Sequence, residues 1–326
     1  MVSGVHDSAV RGLTISELAG RSSDDIVDTA VTPKPIWEYA IIRLMAIAFV
    51  TGTSTGIGAA TAVSLARAGH TVYAGMRNPH RQGELHEAVA REELDVHIVA
   101  HDVDDDSSAK AAIVAAGRID VLVNNAGIGV MGSLEETPLS QFRSAMETNY
   151  FGALRCIQAV LPGMRERQSG CIVNVTSVAG RIAMAPQAPY AASKWALEAV
   201  SECLAQEVKG FGIRVATVEP GVIATPIFGK AAPDREDSRY PHMRRMNELF
   251  RASLENPVPP SVVGDKIRDI VDSGTWTLRH PVGPDAAGFL QCRASFTNEQ
   301  WVEWGAMTDD AWVSYVRGTF GLNVSL

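Results

Sequence analysis

The chain has 326 residues, long enough to bury a sizeable core. Its composition, 46% hydrophobic and 20% charged, is that of an ordinary soluble globular protein rather than a disordered one. A net charge of -8 excludes a general nucleic-acid binder, which needs clustered positive charge, and allows only a local basic spot.

Residues 1–44 differ from the rest: polar, with short apolar pieces and a Pro-Lys-Pro stop at 33–35. "SELAGRSSDDIVDTAV" has room for a short helix. Two readings of this segment stand: an over-extended reading frame whose true start is Met45, or an arm used in oligomer contacts. The apolar run Ile36–Val50 is interrupted by Glu38 and Arg43 and flows into a core strand, so neither a signal peptide nor a membrane span is expected.

From Met45 onward, strand and helix patterns alternate. "AIAFVTG" is a short apolar run of the kind that forms a buried parallel strand. A helix is predicted over Gly58–Ala68, ended by Gly69. Further strands are expected at "HTVYAGM", "DVHIVAHDV", "IDVLVNNAG", "GCIVNVTSVAG" and "IRVATVEPG". Helices are expected at "GELHEAVAREE", "SSAKAAIVAAG", 139–167 and 189–212. After a looser stretch at 222–260, "PSVVGDKIRDIVDSG" reads as a helix capped by Ser261 and stopped by Gly274, and "WTLRHPVG" as a last strand. The alternation predicts an α/β fold, a doubly wound parallel sheet of Rossmann type, over 45–283. The segment 284–326 is a tail rich in aromatics: Trp301, Trp304, Trp312, Tyr315 and Phe320. Cys156, Cys171, Cys203 and Cys292 form no CxxC pair and no zinc spacing, and read as reduced thiols of a cytoplasmic protein with no metal.

"VTGTSTGIG" follows the first strand and opens a helix. Its glycines, Gly52, Gly56 and Gly58, allow a tight turn and close backbone approach, and the helix N-terminus aims N–H groups at a pyrophosphate. A dinucleotide site follows. NAD-type sites place a carboxylate about 20 residues further on. Here no carboxylate occurs from Thr71 to Arg81, and Arg77 stands near that position. A guanidinium binds a 2′-phosphate that a carboxylate repels, so NADP(H) is favoured, with NAD(H) possible. Asp102 ends the third strand, either to accept from an adenine amine or to cap the next helix.

These features, with "NNAG" (124–127), Asn149, Ser177, Tyr190-x-x-x-Lys194 and Pro220-Gly221, resemble the short-chain dehydrogenase/reductase family in order and spacing. "VYAGMR" and "HPVGPDA" are most similar to its 17β-hydroxysteroid and retinol dehydrogenase-like branch. The resemblance is close over about 45–225. It implies a catalytic tetrad of Asn149, Ser177, Tyr190 and Lys194. Tyr190 exchanges a proton with the substrate oxygen, Ser177 holds that oxygen, and Asn149 holds a relay water. Lys194, at i+4 from Tyr190, and the nicotinamide cation both favour the phenolate and lower the phenol's pKa from its usual value of about 10. The implied cofactor site comprises Gly52, Ser54, Thr55, Gly56 and Ile57; Arg77; Asp102 and Val103; Asn125, Ala126 and Gly127; Tyr190 and Lys194; and Pro220, Gly221, Ile223 and Thr225. Asn124 has a structural reading beside its cofactor one.

The substrate pocket is expected from Ile128–Ser133, Val178–Gln187 and the 222–260 loop. Val130, Met131, Ile182, Met184, Met243 and Met246 make it apolar, and Arg181 is the one cation in reach of an anionic group. An apolar or aromatic small molecule, a secondary alcohol or ketone, is the expected substrate. A sugar-nucleotide epimerase or dehydratase and a catalytically silent NADP(H)-binding regulator are the alternatives. The family also implies a homodimer or homotetramer, through helices 139–166 and 190–210. Trp195 is expected at a subunit or core contact.

Overall fold

The computed structural model describes residues 45–81, 83–228 and 238–326, and the expectations for residues 1–44 lie outside these. Strands β1 (Ile47–Thr51), β2 (Thr71–Met76), β3 (Val96–Ala100), β4 (Val121–Asn124), β5 (Gly170–Val175), β6 (Ile213–Pro220) and β7 (Arg279–Val282) form one sheet. Their order is β3-β2-β1-β4-β5-β6-β7, and every neighbouring pair is parallel. Successive side chains of a strand point to opposite faces. Phe49 therefore enters a core with Leu122, Ile157, Met164 and Ile172, while Val50 enters another with Leu65, Val123 and Ile267.

Eleven α-helices accompany the sheet among the described residues: α1 (Gly56–Arg67), α2 (Glu84–Glu92), α3 (Asp106–Ala116), α4 (Leu139–Met146), α5 (Gly152–Arg167), α6 (Ala188–Val208), α7 (His242–Ser253), α8 (Ser261–Ser273), α9 (Ala286–Ala294), α10 (Asn298–Gly305) and α11 (Asp309–Phe320). Because β4 lies on the opposite side of β1 from β2 and β3, the strand order reverses between β1 and β4. The crevice at their carboxyl ends is where open α/β sheets bind ligands.

Three local features depart from the sequence reading. The helix expected over 139–167 is two α-helices joined by a π-helical turn at Glu147–Phe151. That turn carries Asn149, whose amide is held from inside by Ile128 and Ser193. Ser261 is the first helical residue of α8 and not its cap. Pro260 occupies the N-cap position and no side chain caps the helix, while Gly274 does end it in a left-handed conformation at φ 67°. Asp105, not Asp102, caps α3, its carboxylate accepting from the Ser108 N–H. Of the two places open to Trp195, a core contact is the one its 47% exposure removes.

The tail folds into α9, α10 and α11. Trp304, Trp312, Val316 and Val324 pack with Leu249 and Ala252 of α7. A Thr297–Gln300 capping box opens α10 and Thr308 caps α11. These local signals fix the helix starts; the aromatic cluster fixes their packing.

Candidate active site

The site begins at the end of β1. Thr51 Oγ1 accepts from the backbone N–H groups of Asn125 (3.0 Å) and Ala126 (2.9 Å), and the Asn125 amide donates to the Thr51 and Gly52 carbonyls. These bonds lock the glycine turn to β4. Gly52 has φ +70°, and a Cβ there would sit 2.7 Å from the Ala126 Cα. A Cβ on Gly58 would sit 2.3 Å from the Gly52 carbonyl oxygen. Both positions need glycine. The N-terminus of α1 has neither a side-chain cap bond nor an acidic first turn, so its N–H groups remain available to an anion.

A cleft of about 310 Å³ opens above this turn. It gathers Gly52, Ser54, Thr55, Gly56, Ile57, Arg77, Asp102, Val103, Asn125, Ala126, Gly127, Tyr190, Lys194, Pro220, Gly221, Ile223 and Thr225. Every cofactor residue expected from the sequence therefore borders one cavity. The fit to a dinucleotide is physical: a glycine cradle that a Cβ would fill, an uncapped helix N-terminus, and an exposed Arg77 without a neighbouring carboxylate on its strand.

Ser177 and Tyr190 stand at the inner end of this cleft. Ser177 follows β5 and its Oγ accepts from the Ala179 N–H at 3.1 Å. Tyr190 and Lys194 project from the first turns of α6. The Lys194 ammonium donates to the Val175 carbonyl at 2.9 Å and lies 5.8 Å from the centre of the Tyr190 ring. Lys194 is buried, and burial brings its pKa down to about 8, with the Glu198 carboxylate opposing. In the protein without its dinucleotide, burial raises the Tyr190 phenol's pKa, and a hydrogen bond with Ser177 only partly offsets this. In the protein alone, desolvation of the phenolate outweighs the distant ammonium.

Asn149 lies behind these groups and not in the cleft lining. Its Oδ1 accepts from the Ile128 N–H at 2.8 Å, and its Nδ2 donates to the Ile128 carbonyl and to Ser193 Oγ. It clamps the segment that follows Gly127 to α6. Asn124 has a structural role: its amide donates to Asn174, which donates to Ser201, tying β4, β5 and α6 together.

A second pocket, of about 130 Å³, shares Ser177 and Tyr190 with the cleft. Its wall includes Met131, Val178, Ile182, Met184, Met246 and Phe250, and no charged side chain among the described residues.

The short chain dehydrogenase family model matches residues 46–236. This chain belongs to that family. An oxidoreductase of Bacillus subtilis, YusZ, is 34% identical over 267 residues, covering 78% of this chain and 95% of its own. Human retinol dehydrogenase 8 is 39% identical over 198 residues, 59% of this chain and 63% of its own, consistent with the branch suggested by "VYAGMR". A solved short-chain dehydrogenase from Streptomyces avermitilis superposes with a TM-score of 0.71 at 35% identity, covering 84% of this chain and 99% of that one.

The dehydrogenase pocket corrects three sequence expectations. Val130 and Met243 do not line it. Arg181 does not line it either: its guanidinium donates to the fully buried Glu219 at 3.2 Å. Several wall residues were missed. Phe289, Cys292, Trp301, Trp304 and Phe320 come from the tail, and their aromatic content was the only signal in the sequence. Asp285, of the quoted "HPVGPDA", was also missed. Its carboxylate accepts from the Val222 N–H at 2.8 Å, and a Cβ on Gly221 would fall 2.1 Å from its Oδ1. It braces the Pro220–Gly221 wall.

Proposed function

We propose that this chain is an NADP(H)-preferring oxidoreductase that interconverts a secondary alcohol and a ketone on an apolar or aromatic small molecule. The observation that carries the reading is the convergence of two cavities on Ser177 and Tyr190. One is glycine-cradled and suited to a dinucleotide; the other is apolar and uncharged. A reacting carbonyl has one place to meet both.

The nicotinamide, when bound, supplies or accepts the hydride. Tyr190 gives its proton to the oxygen of the reduced carbonyl, or takes it back in the oxidising direction. A phenol whose pKa is raised by burial stays protonated at neutral pH, as a donor must. Ser177, hydrogen-bonded with Tyr190, holds the same oxygen in line. Lys194 keeps a positive charge beside the phenol, which limits the cost of the phenolate formed in the transfer. Arg77 would receive the 2′-phosphate of NADP(H), and its exposure at the cleft rim supports this. Leu139, Phe151 and Trp195, all exposed on the helices spanning 139–208, support a homo-oligomer through those helices. Free thiols at all four cysteines fit a reducing, cytoplasmic setting. No helix among the described residues is long and apolar enough to cross a membrane.

The test is a panel of apolar, aromatic and steroid-like ketones with NADPH and NADH, read at the nicotinamide absorbance. Turnover with preference for NADPH supports the reading. Tight NADPH binding without turnover in either direction would favour a cofactor-binding sensor instead.

A further inference from the structure

Two buried carboxylates lie behind Tyr190 and Lys194 and take no part in the chemistry described so far. Glu198 is one helical turn beyond Lys194 on α6, and Glu219 directly precedes Pro220 on β6. They are 4% and 0% exposed. Neither borders the cleft above the glycine turn or the pocket beside Tyr190.

Charged and polar groups from several elements face them. Glu219 Oε1 accepts from Arg181, in the turn after Ser177, at 3.2 Å. Glu198 Oε2 accepts from Arg279 Nε of β7 at 3.1 Å and from the Thr217 hydroxyl of β6 at 3.3 Å. The same Arg279 Nε lies 3.8 Å from Glu219 Oε1, so the two carboxylates are neighbours. Arg279 also donates to Glu202 on α6 at 2.6 Å, and the Lys194 ammonium feels the Glu198 charge from one turn earlier on that helix.

Two oxygens are left over. Glu198 Oε1 and Glu219 Oε2 are both buried, and neither has a hydrogen-bond partner among the described residues. A buried acceptor without a donor is costly, and two neighbouring buried carboxylates resist ionising together. One proton answers both problems. An O–H on Glu219 Oε2 that donates to Glu198 Oε1 satisfies the two orphan atoms at once, in the manner of a carboxyl dyad that shares a proton. Burial and the Glu198 charge pull the Glu219 pKa upward, in agreement with this placement, while Arg181 and Arg279 oppose them.

The pair sits where three parts of the site meet. A Cβ on Gly180 would lie 3.0 Å from Glu198 Cγ and 3.2 Å from the Lys194 carbonyl oxygen, so the turn after Ser177 rests on α6 at this point. Glu219 adjoins the Pro220–Gly221 wall of the cleft.

We propose that Glu219 carries a proton on Oε2 and donates it to Glu198 Oε1, and that this single-proton acid pair is a positioning device, fixing the turn after Ser177 and the Pro220–Gly221 wall against the helix that bears Tyr190 and Lys194. The shared proton rests on the buried pair alone; its consequence for turnover rests on the oxidoreductase reading.

The experiment joins a spectrum to a rescue. Infrared difference spectra of the full chain, wild type minus Glu219→Gln, are taken at neutral pH in H2O and D2O. The carbonyl stretch of a protonated carboxyl group, shifted by deuterium, should be present in wild type and missing from the variant. Ketone reduction is then compared in Glu219→Leu and Glu219→Gln. Leucine leaves Arg181 and Glu198 unpartnered. Glutamine keeps an oxygen for Arg181 and offers an N–H to Glu198. Glu219→Leu should lose about a hundredfold in kcat, the scale of a small misplacement of reacting groups, and Glu219→Gln less than about tenfold. NADPH affinity, measured by fluorescence titration, should be little changed in both, because the glycine turn and Arg77 are untouched. Where Glu219→Leu does not fold, the spectrum and the Gln variant decide. A wild type without the protonated-carboxyl band, a band that survives in Glu219→Gln, or a Gln variant as slow as is expected of Leu overturns the proposal and leaves the oxidoreductase reading intact. A band that Glu219→Gln removes, in a wild-type chain that turns over no ketone, upholds the shared proton and removes the oxidoreductase reading.

Discussion

Replacing Glu198 with Gln probes the electrostatics of the Tyr190–Lys194 pair without touching it. Glu198 lies one helical turn beyond Lys194 and is 4% exposed, as is Lys194 itself. Its Oε2 accepts from Arg279 Nε at 3.1 Å and from Thr217 at 3.3 Å, and its Oε1 has no partner. Other charged groups face this cluster. Glu219 on β6 has its pKa raised by burial and by Glu198, and pairs with Arg181 beyond β5; Arg279 on β7 also reaches Glu202. Burial holds the Lys194 pKa down to about 8 and Glu198 holds it up. At an effective dielectric constant of ~20 and the ~6 Å spacing of i,i+4 neighbours, a unit charge is worth roughly 3 kcal/mol, or about two pH units. Arg279 cancels part of this, which leaves a net effect of about one unit. Removing the carboxylate disfavours the ammonium, so the sign is downward. The alkaline limb of kcat/KM for ketone reduction should fall from near 8 in wild type to about one unit lower in Glu198→Gln. Arg279→Met, which frees the carboxylate of its partner, should move the limb upward. The assay is initial rate against pH, with thermal melting to show that each variant is folded. Limbs that stay in place, or that move in the same direction for both variants, would refute the reasoning, because a merely structural role predicts no opposed shifts.

Three further outcomes are expected. Tyr190→Phe keeps NADPH affinity, measured by fluorescence titration, and loses at least about a hundredfold in turnover, the scale of a general acid–base group; near-normal turnover would remove Tyr190 from its role. Arg77→Glu shifts the ratio of kcat/KM values from NADPH towards NADH, and an unchanged ratio would mean that the 2′-phosphate is read elsewhere. Gly52→Ala forces a Cβ to 2.7 Å from the Ala126 backbone at φ +70°, which should cost about 1–3 kcal/mol in stability and weaken cofactor binding; a variant with unchanged melting and affinity would contradict the close-approach argument.

The doubly wound sheet was legible because buried parallel strands and amphipathic helices have different periods, and glycine turns punctuate them. The glycine loop, Arg77, Ser177 and the Tyr190–Lys194 pair all border one cleft, since each sits at a strand end or on the first turns of the next helix, where topology fixes position. What depends on tertiary packing was not legible. Val130 and Met243 are apolar and close in sequence to the pocket, yet neither lines it. Arg181 was placed in reach of the pocket, but it pairs with Glu219, which is distant in sequence and wholly buried. The π-helical turn at Asn149 leaves no mark on a pattern that also suits a continuous helix. The tail announced only its aromatics. That Trp301 and Trp304 would stack at 4.8 Å in the pocket wall is a property of the assembled α7, α10 and α11. The upward pull of burial on the Tyr190 pKa in the protein alone was not legible, because i,i+4 spacing speaks for proximity to Lys194 and is silent on desolvation.

The most direct test of the account follows the hydride itself. NADPH carrying deuterium at the transferable nicotinamide position is incubated with an apolar ketone, and the product alcohol is examined by mass spectrometry and NMR. Deuterium is expected on the carbinol carbon, delivered by wild type and reduced at least about a hundredfold in rate by Tyr190→Phe. Labelled product formed equally fast by Tyr190→Phe, or tight cofactor binding with no label transferred to any ketone, would contradict it.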